Sequence, residues 1–133
     1  MSGRTSVTHV PKPWGHETIW AHTDQYVGKI LHIKAGQALS VQYHHVKDET
    51  VYLLSGELIY RVWDMPVDGD TLPPQAKAVD VNLKLGEAYR ITPHTVHQME
   101  AVTDCDILEA STPHLDDVVR LQDRYGRQGT NAP

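Results

Sequence analysis

The residues able to do chemistry gather in the stretch GQALSVQYHHVKDETVYLLSG, Gly36 to Gly56, where Gln42, His44, His45 and Glu49 sit in what reads as two β-strands joined by a charged turn. Alternate side chains of a strand share a face, so Gln42 and His44 point one way while Tyr43 and His45 point the other. The adjacent histidines are therefore not a pair. After the turn, Glu49 opens the next strand, and an antiparallel hairpin would return it beside His44. His97 enters from GEAYRITPHTVHQ, where a glycine and a turn precede it at the start of another strand. Gln42, His44, Glu49 and His97 would then offer amide oxygen, imidazole nitrogen and carboxylate oxygen to one divalent ion. This mixed set suits Zn first and also admits Mn, Fe, Ni or Co, since affinity order alone does not choose among them. His45 has outward parity, and His9, His16, His22, His32, His94 and His114 fit no ligand spacing, so these read as surface or supporting groups.

The elements that must position these residues are short and β-like. The runs YVGKILHIK, ALSVQYHH, TVYLLSG, LIYRVWD, VDVNLKLG, EAYRITP, HQMEAV and DILEAST are rich in Val, Ile, Leu, Tyr and Thr and are punctuated by Gly, Pro or Asp. This predicts an all-β barrel or sandwich. Lys29 shares parity with Leu31 and Ile33, so it either projects into the barrel or is an edge lysine reaching water by its long stem. Glu109 shares parity with Ile107 and either enters the cavity or is a paired structural carboxylate. Asp64 to Ala78 has neither period and predicts a long loop, a candidate lid over the barrel mouth. Leu115, Val118, Val119 and Gln122 recur at helical spacing before Gly126, which predicts a short C-terminal helix carrying Arg120. One domain over residues 12–127 is expected, with flexible tails at 1–11 and 128–133.

At 133 residues the chain has the length of one ordinary domain. A formal net charge of −5 gives no electrostatic footprint for nucleic acid. No apolar run approaches a membrane span, and no signal segment precedes Pro11, so a soluble, cytoplasmic protein without a membrane partner is expected. The single cysteine, Cys105, lies between Asp104 and Asp106, which disfavour a thiolate, and reads as a structural thiol.

Gly36, Gln42, His44, Glu49 and Gly56 resemble the first motif of the cupin superfamily at every spacing, and Gly86 through His97 is similar to the second, with Thr92 and His94 where that motif has Pro and Gly. The resemblance implies a double-stranded β-helix. A Gln, His, Glu, His ligand set looks like the metal site of phosphomannose isomerases. KPWG at Lys12 to Gly15 and LDDVVRLQDRYGR at Leu115 to Arg127 are similar in order and spacing to the C-terminal isomerase domain of bifunctional mannose-6-phosphate isomerase/mannose-1-phosphate guanylyltransferases. The nucleotidyltransferase half has no counterpart here, so guanylyl transfer is not expected.

The resemblance implies a metal-dependent aldose–ketose isomerase of a sugar or sugar phosphate, with a homodimer covering a sheet edge. Lys29, which matches a lysine of the family pattern, or Glu109 would move the proton as catalytic base. Lys47, where the family has Arg, or Arg120 would hold a distal phosphate. Two other readings stand beside this one: a metal cupin oxygenase or decarboxylase using Fe or Mn, and a non-catalytic sugar-binding cupin.

Overall fold

The computed structural model describes residues 1–133. Eleven strands form it: β1 (Thr8–Lys12), β2 (Gly15–His22), β3 (Val27–Ile33), β4 (Val41–Tyr43), β5 (Glu49–Ser55), β6 (Leu58–Trp63), β7 (Ala78–Leu83), β8 (Ala88–Ile91), β9 (His97–Ala101), β10 (Cys105–Ser111) and β11 (Val119–Gln122). They make a six-stranded sheet in the order β1-β2-β3-β10-β5-β8 and a five-stranded sheet in the order β11-β4-β9-β6-β7, antiparallel throughout. No helix is long and apolar enough to cross a membrane.

The inner faces of the two sheets supply the core. Leu31, Ile33, Val51, Leu53 and Ile107 come from the larger sheet, and Leu58, Tyr60, Leu83, Met99 and Ala101 from the smaller, all buried in one cluster with Trp14. These side chains fill one end of the barrel. Trp14, Leu31 and Met99 of this cluster also wall a cavity lined mostly by polar side chains, and there the candidate site forms.

The C-terminal helix expected over residues 115–126 is absent. Val119–Gln122 instead pairs as β11 with the free edge of β4, placing Val119 opposite Tyr43 and Arg120 opposite Gln42. An unpaired edge beside a polar cavity outweighs weak helical spacing, and the β-branched Val118 and Val119 tolerate extended backbone well. At the other terminus, β1 draws Thr8 to Pro11, within the segment expected as a tail, into register with Glu17 to Ile19 and His16 on β2.

The hairpin expected between His44 and Glu49 is also replaced. Strand β4 pairs with β9 and β11, whereas β5 pairs with β10 and β8, so the turn at Val46–Asp48 carries the chain from one sheet to the other. His44 and Glu49 meet across the barrel interior, not along a ladder.

The long loop between β6 and β7 does not cover the mouth. Val67 is buried with Val41, Tyr43, Val96 and Leu121, and the Tyr43 hydroxyl donates to the Gly69 carbonyl at 2.7 Å. Tyr43 has the parity opposite to Gln42, so this packing lies on the outside of the five-stranded sheet. The loop shields an outer face that would otherwise expose Tyr43.

Cys105 is buried, and its thiol donates to the carbonyls of Glu57 and Thr103 at 3.2 Å each. Burial pushes it up to about 11, which agrees with an inert structural thiol. The neighbouring turn leaves no room for a side chain at Gly56. Its φ is 93°, and a Cβ there would stand 2.2 Å from the Asp104 carbonyl oxygen and 2.8 Å from Cys105 Sγ. Gly56→Ala must therefore shift backbone, and we expect it to cost roughly 2 to 4 kcal/mol in urea unfolding. A loss below about 0.5 kcal/mol would mean the turn relaxes freely.

Candidate metal centre and cavity

Register places the site residues before any side chain is considered. Across β11, β4 and β9, Arg120 stands opposite Gln42 and Gln42 opposite His97, so the three lie in one row on the inner face of the smaller sheet. On the larger sheet Lys29 of β3 stands opposite Glu109 of β10. Glu49, at the start of β5, pairs with Ser111 of β10 and Ile91 of β8. His44 and Lys47 hang from the turn that joins the sheets. Every one of the eight residues singled out in the sequence thus faces one cavity or its wall.

The centre of the constellation is His44, Glu49 and His97. Their ligand atoms lie within 4.8 Å of one another, and all three side chains are buried. The His44 Nδ1–H donates to the Asp117 carbonyl, and the His97 Nδ1–H donates to the Thr95 carbonyl at 2.9 Å. A carbonyl can only accept, so each neutral ring has its proton on Nδ1 and a lone pair on Nε2. Both Nε2 atoms are aimed at Glu49 Oε1, 3.2 Å from His44 and 3.1 Å from His97.

That arrangement tests the fit of a metal. Two nitrogen lone pairs confront a carboxylate oxygen in a buried space, and His97 Nε2 has no hydrogen-bond partner. Burial holds the His44 imidazolium below its ordinary pKa despite Glu49, which favours the neutral ligand form. Burial alone would raise Glu49, but the Lys47 ammonium holds it well below the usual carboxylate range. Two imidazoles with their Nδ1 protons held by backbone carbonyls and an ionised carboxylate between their Nε2 atoms are a donor set a divalent cation satisfies. Gln42 lines the same cavity, with its Oε1 accepting from the Ser40 hydroxyl at 2.5 Å.

Beside this centre lies a chain of buried charges. Lys47 Nζ is 3.3 Å from Glu49 Oε2 and 3.2 Å from Glu109 Oε2, so one ammonium bridges the two carboxylates. Burial opposes its charge, yet Glu109 and Glu49 carry its pKa above the ordinary lysine value. Lys29 Nζ donates to Glu17 Oε2 at 2.8 Å and stands 3.7 Å from Glu109 Oε2. Glu109 responds differently from Glu49: burial, reinforced by the Glu49 charge, lifts it to about 7. Two carboxylates on one lysine are driven in opposite directions.

The cavity holds about 550 Å³, counting its open mouth. Lys12, Glu17 and Trp14 from the N-terminal hairpin and Leu115, Val118, Arg120 and Arg127 from the C-terminal segment frame it. Arg120 is 7% exposed, and its Nη1 donates to the Thr130 carbonyl at 2.9 Å while its Nε has no partner. Arg127 is clamped by both oxygens of Asp123.

No protein-family model matches the chain. It is 28% identical over 118 residues to mannose-1-phosphate guanylyltransferase of Escherichia coli strain K12, a match covering 89% of this chain and 23% of that protein. The chain therefore spans about a quarter of that relative's length. Among solved structures, it is similar to the capsular polysaccharide assembling protein CapF from Staphylococcus aureus, with TM-score 0.65, 19% identity, and 90% and 33% of the two chains covered. A conserved protein with a double-stranded β-helix domain from Klebsiella pneumoniae subsp. pneumoniae gives TM-score 0.61 at 17% identity, covering 80% and 84%. A cupin superfamily protein from Desulfitobacterium hafniense gives 0.53 at 12%, covering 84% and 82%.

The fold is the double-stranded β-helix of the cupins. Within it, sequence reasoning missed Asp117, Glu17, Lys12 and Arg127. Asp117 is the most consequential: its carboxylate accepts the backbone N–H groups of His45, Val46 and Lys47 at 3.0, 2.7 and 2.8 Å, while its carbonyl orients His44. No local pattern marks it, because its partners lie some seventy residues away. Glu17 escaped notice because β2 was not read as a strand, so its inward parity had no frame.

Two outcomes are expected from metal analysis of the purified protein. Replacing His44 and His97 by Ala removes both nitrogen ligands and abolishes stoichiometric binding at this centre; an unchanged stoichiometry would refute the ligand set. Asp117→Ala leaves the ligands in place but loosens the His44 turn, and metal affinity measured by chelator competition falls about 10- to 100-fold.

Proposed function

We propose that this cupin is a metal-dependent aldose–ketose isomerase acting on a sugar phosphate of the mannose 6-phosphate type. The observation that carries the proposal is the split pair of carboxylates: Glu49 held ionised beside the two histidine nitrogens, and Glu109, lifted to about 7, a single lysine away. Isomerisation needs a group that takes a proton from one carbon and returns it to the next, and an acid poised near neutrality suits both directions. The sequence similarity to mannose-1-phosphate guanylyltransferase and the fold similarity to CapF support a sugar-linked substrate.

A divalent ion held by His44, Glu49 and His97, with Gln42 beside them, supplies Lewis acidity toward neighbouring carbonyl and hydroxyl oxygens of the sugar. The chain's own residues do the rest. Glu109 Oε2 is the proton carrier, and Lys47 and Lys29 hold it from two sides. Of the two base candidates, Glu109 is preferred, because Lys29 donates to Glu17 and faces Glu109 as a positioning cation. Lys47 is engaged by two carboxylates, so an arriving phosphate would have to compete with both. Arg120 takes over that role: it lines the cavity with a free Nε that a phosphate oxygen satisfies.

The test is conversion of mannose 6-phosphate to fructose 6-phosphate by metal-loaded protein. Glu109→Gln is expected to lower kcat about 10²- to 10⁴-fold while metal content stays at the wild-type level. Arg120→Ala is expected to raise KM for the phosphorylated sugar by an amount worth about 1 to 3 kcal/mol and to leave free mannose nearly unaffected. Equal effects of Arg120→Ala on both sugars would remove it from phosphate recognition. Tight sugar binding without turnover would favour the non-catalytic reading, and oxygen uptake the oxygenase.

A further inference from the structure

The second histidine of the His44–His45 pair points out of the barrel and meets a different group of ligands. His45, Asp68 and His94 bring their ligand atoms within 4.8 Å of one another on the outer face, where their side chains are 50%, 81% and 35% exposed. We propose that these three residues form a second metal site, for a divalent ion of the Zn²⁺ or Cu²⁺ class, back to back with the inner cluster.

Asp68 Oδ1 stands 3.9 Å from His45 Nδ1 and 3.8 Å from His94 Nδ1. Both distances are too long for a hydrogen bond, so the carboxylate lies between two imidazoles and bonds to neither. An ion with bonds of about 2.0–2.2 Å on each side fills such a gap. Two imidazoles and one carboxylate, open to water on the remaining side, suit borderline transition metals; Mg²⁺ and Ca²⁺ prefer all-oxygen shells.

The ligands are held in advance of any ion. Tyr43 is buried and places its ring against both imidazoles, with centroids 5.4 Å from His45 and 5.6 Å from His94; the two imidazoles are 5.5 Å apart, edge to face. The Tyr43 hydroxyl is tied to Gly69, next to Asp68. His94 is fixed through its backbone on both sides, its N–H donating to the His44 carbonyl at 2.8 Å and its carbonyl accepting from Val67 N–H at 3.1 Å.

His94 also has a φ of 65°, the only non-glycine residue with positive φ. Glycine takes that conformation without cost, and a histidine there carries backbone strain. Its ring does not fill the core: it stacks on Tyr43 and stays 35% exposed, where it is free to ligate. Its Nδ1–H now donates to the Val67 carbonyl at 3.0 Å. To ligate through Nδ1, the neutral ring carries its proton on Nε2 instead, a change of tautomer that gives up the Val67 hydrogen bond and releases no net proton.

The experiment is titration of metal-free, full-length protein with Zn²⁺ by calorimetry, with bound metal counted after gel filtration, for wild type, His94→Gly and Asp68→Ala. Glycine fits the backbone at 94, so the melting temperature of His94→Gly should stay at or above the wild-type value. Each variant is expected to bind one equivalent fewer than wild type, whatever the inner cluster holds, which separates this site from the proposed isomerase centre. The Cu²⁺ form should lose its outer-site nitrogen hyperfine signal in His94→Gly. Equal stoichiometry in wild type and both variants would overturn the proposal.

Discussion

Everything at the polar end of this barrel depends on two buried nitrogen lone pairs that face one carboxylate oxygen. His44 and His97 have both given their Nδ1 protons to backbone carbonyls, of Asp117 and Thr95, so neither can donate to Glu49 without acquiring a second proton. Burial disfavours that proton on His44. In a hydrophobic barrel such a cluster is an electrostatic fault that a cation between the three atoms would relieve. The orienting carbonyls come from loops far apart in sequence, which makes the site a property of the closed barrel.

The same end of the barrel also handles more charge than a core of this size normally tolerates. Glu17, Glu49 and Glu109 are matched by Lys29 and Lys47, each lysine touching two of the three carboxylates. No member is left as an isolated buried ion, and removing any one of them would strand its partners. The chain of charges runs from the mouth, where Lys12 meets Glu17 at 3.4 Å, through Lys29, Glu109 and Lys47 to Glu49. The network is thus at once a structural necessity and the means of driving two carboxylates apart in acidity.

Hydrophobic packing surrounds the cavity without filling it. The main core runs up to the cavity, with Trp14, Leu31 and Met99 forming part of its wall, and the smaller cluster around Tyr43 and Val67 sits outside the five-stranded sheet, where the β6–β7 loop covers it. Strand alternation therefore separates three environments along one short segment: Val41 and Tyr43 outward under the loop, Gln42 and His44 inward at the cavity, and His45 outward again beside Asp68 and His94.

Period-2 alternation and turn residues are enough to read most strands from the sequence, and with them that Gln42 shares a face with His44, Lys29 with Leu31 and Ile33, and Glu109 with Ile107, because side-chain parity is a local property of extended backbone; whether Lys29 and Glu109 enter the cavity is left open by parity alone. The motif spacing also placed Glu49 and His97 at strand starts, where the structure has them. What the sequence alone could not decide is anything set by which edge a segment finds. Residues 119–122 had helical spacing and became β11 because β4 offered an unpaired edge; the turn after His44 crosses between sheets because β5 pairs better with β10 and β8 than with β4. Asp117 holds His44 only after that closure, and Lys47 becomes a bridge between Glu49 and Glu109 only because β5 and β10 are neighbours. Local geometry determined which way each side chain points; long-range pairing, whose hydrogen bonds join segments with no sequence proximity, determined what it meets there.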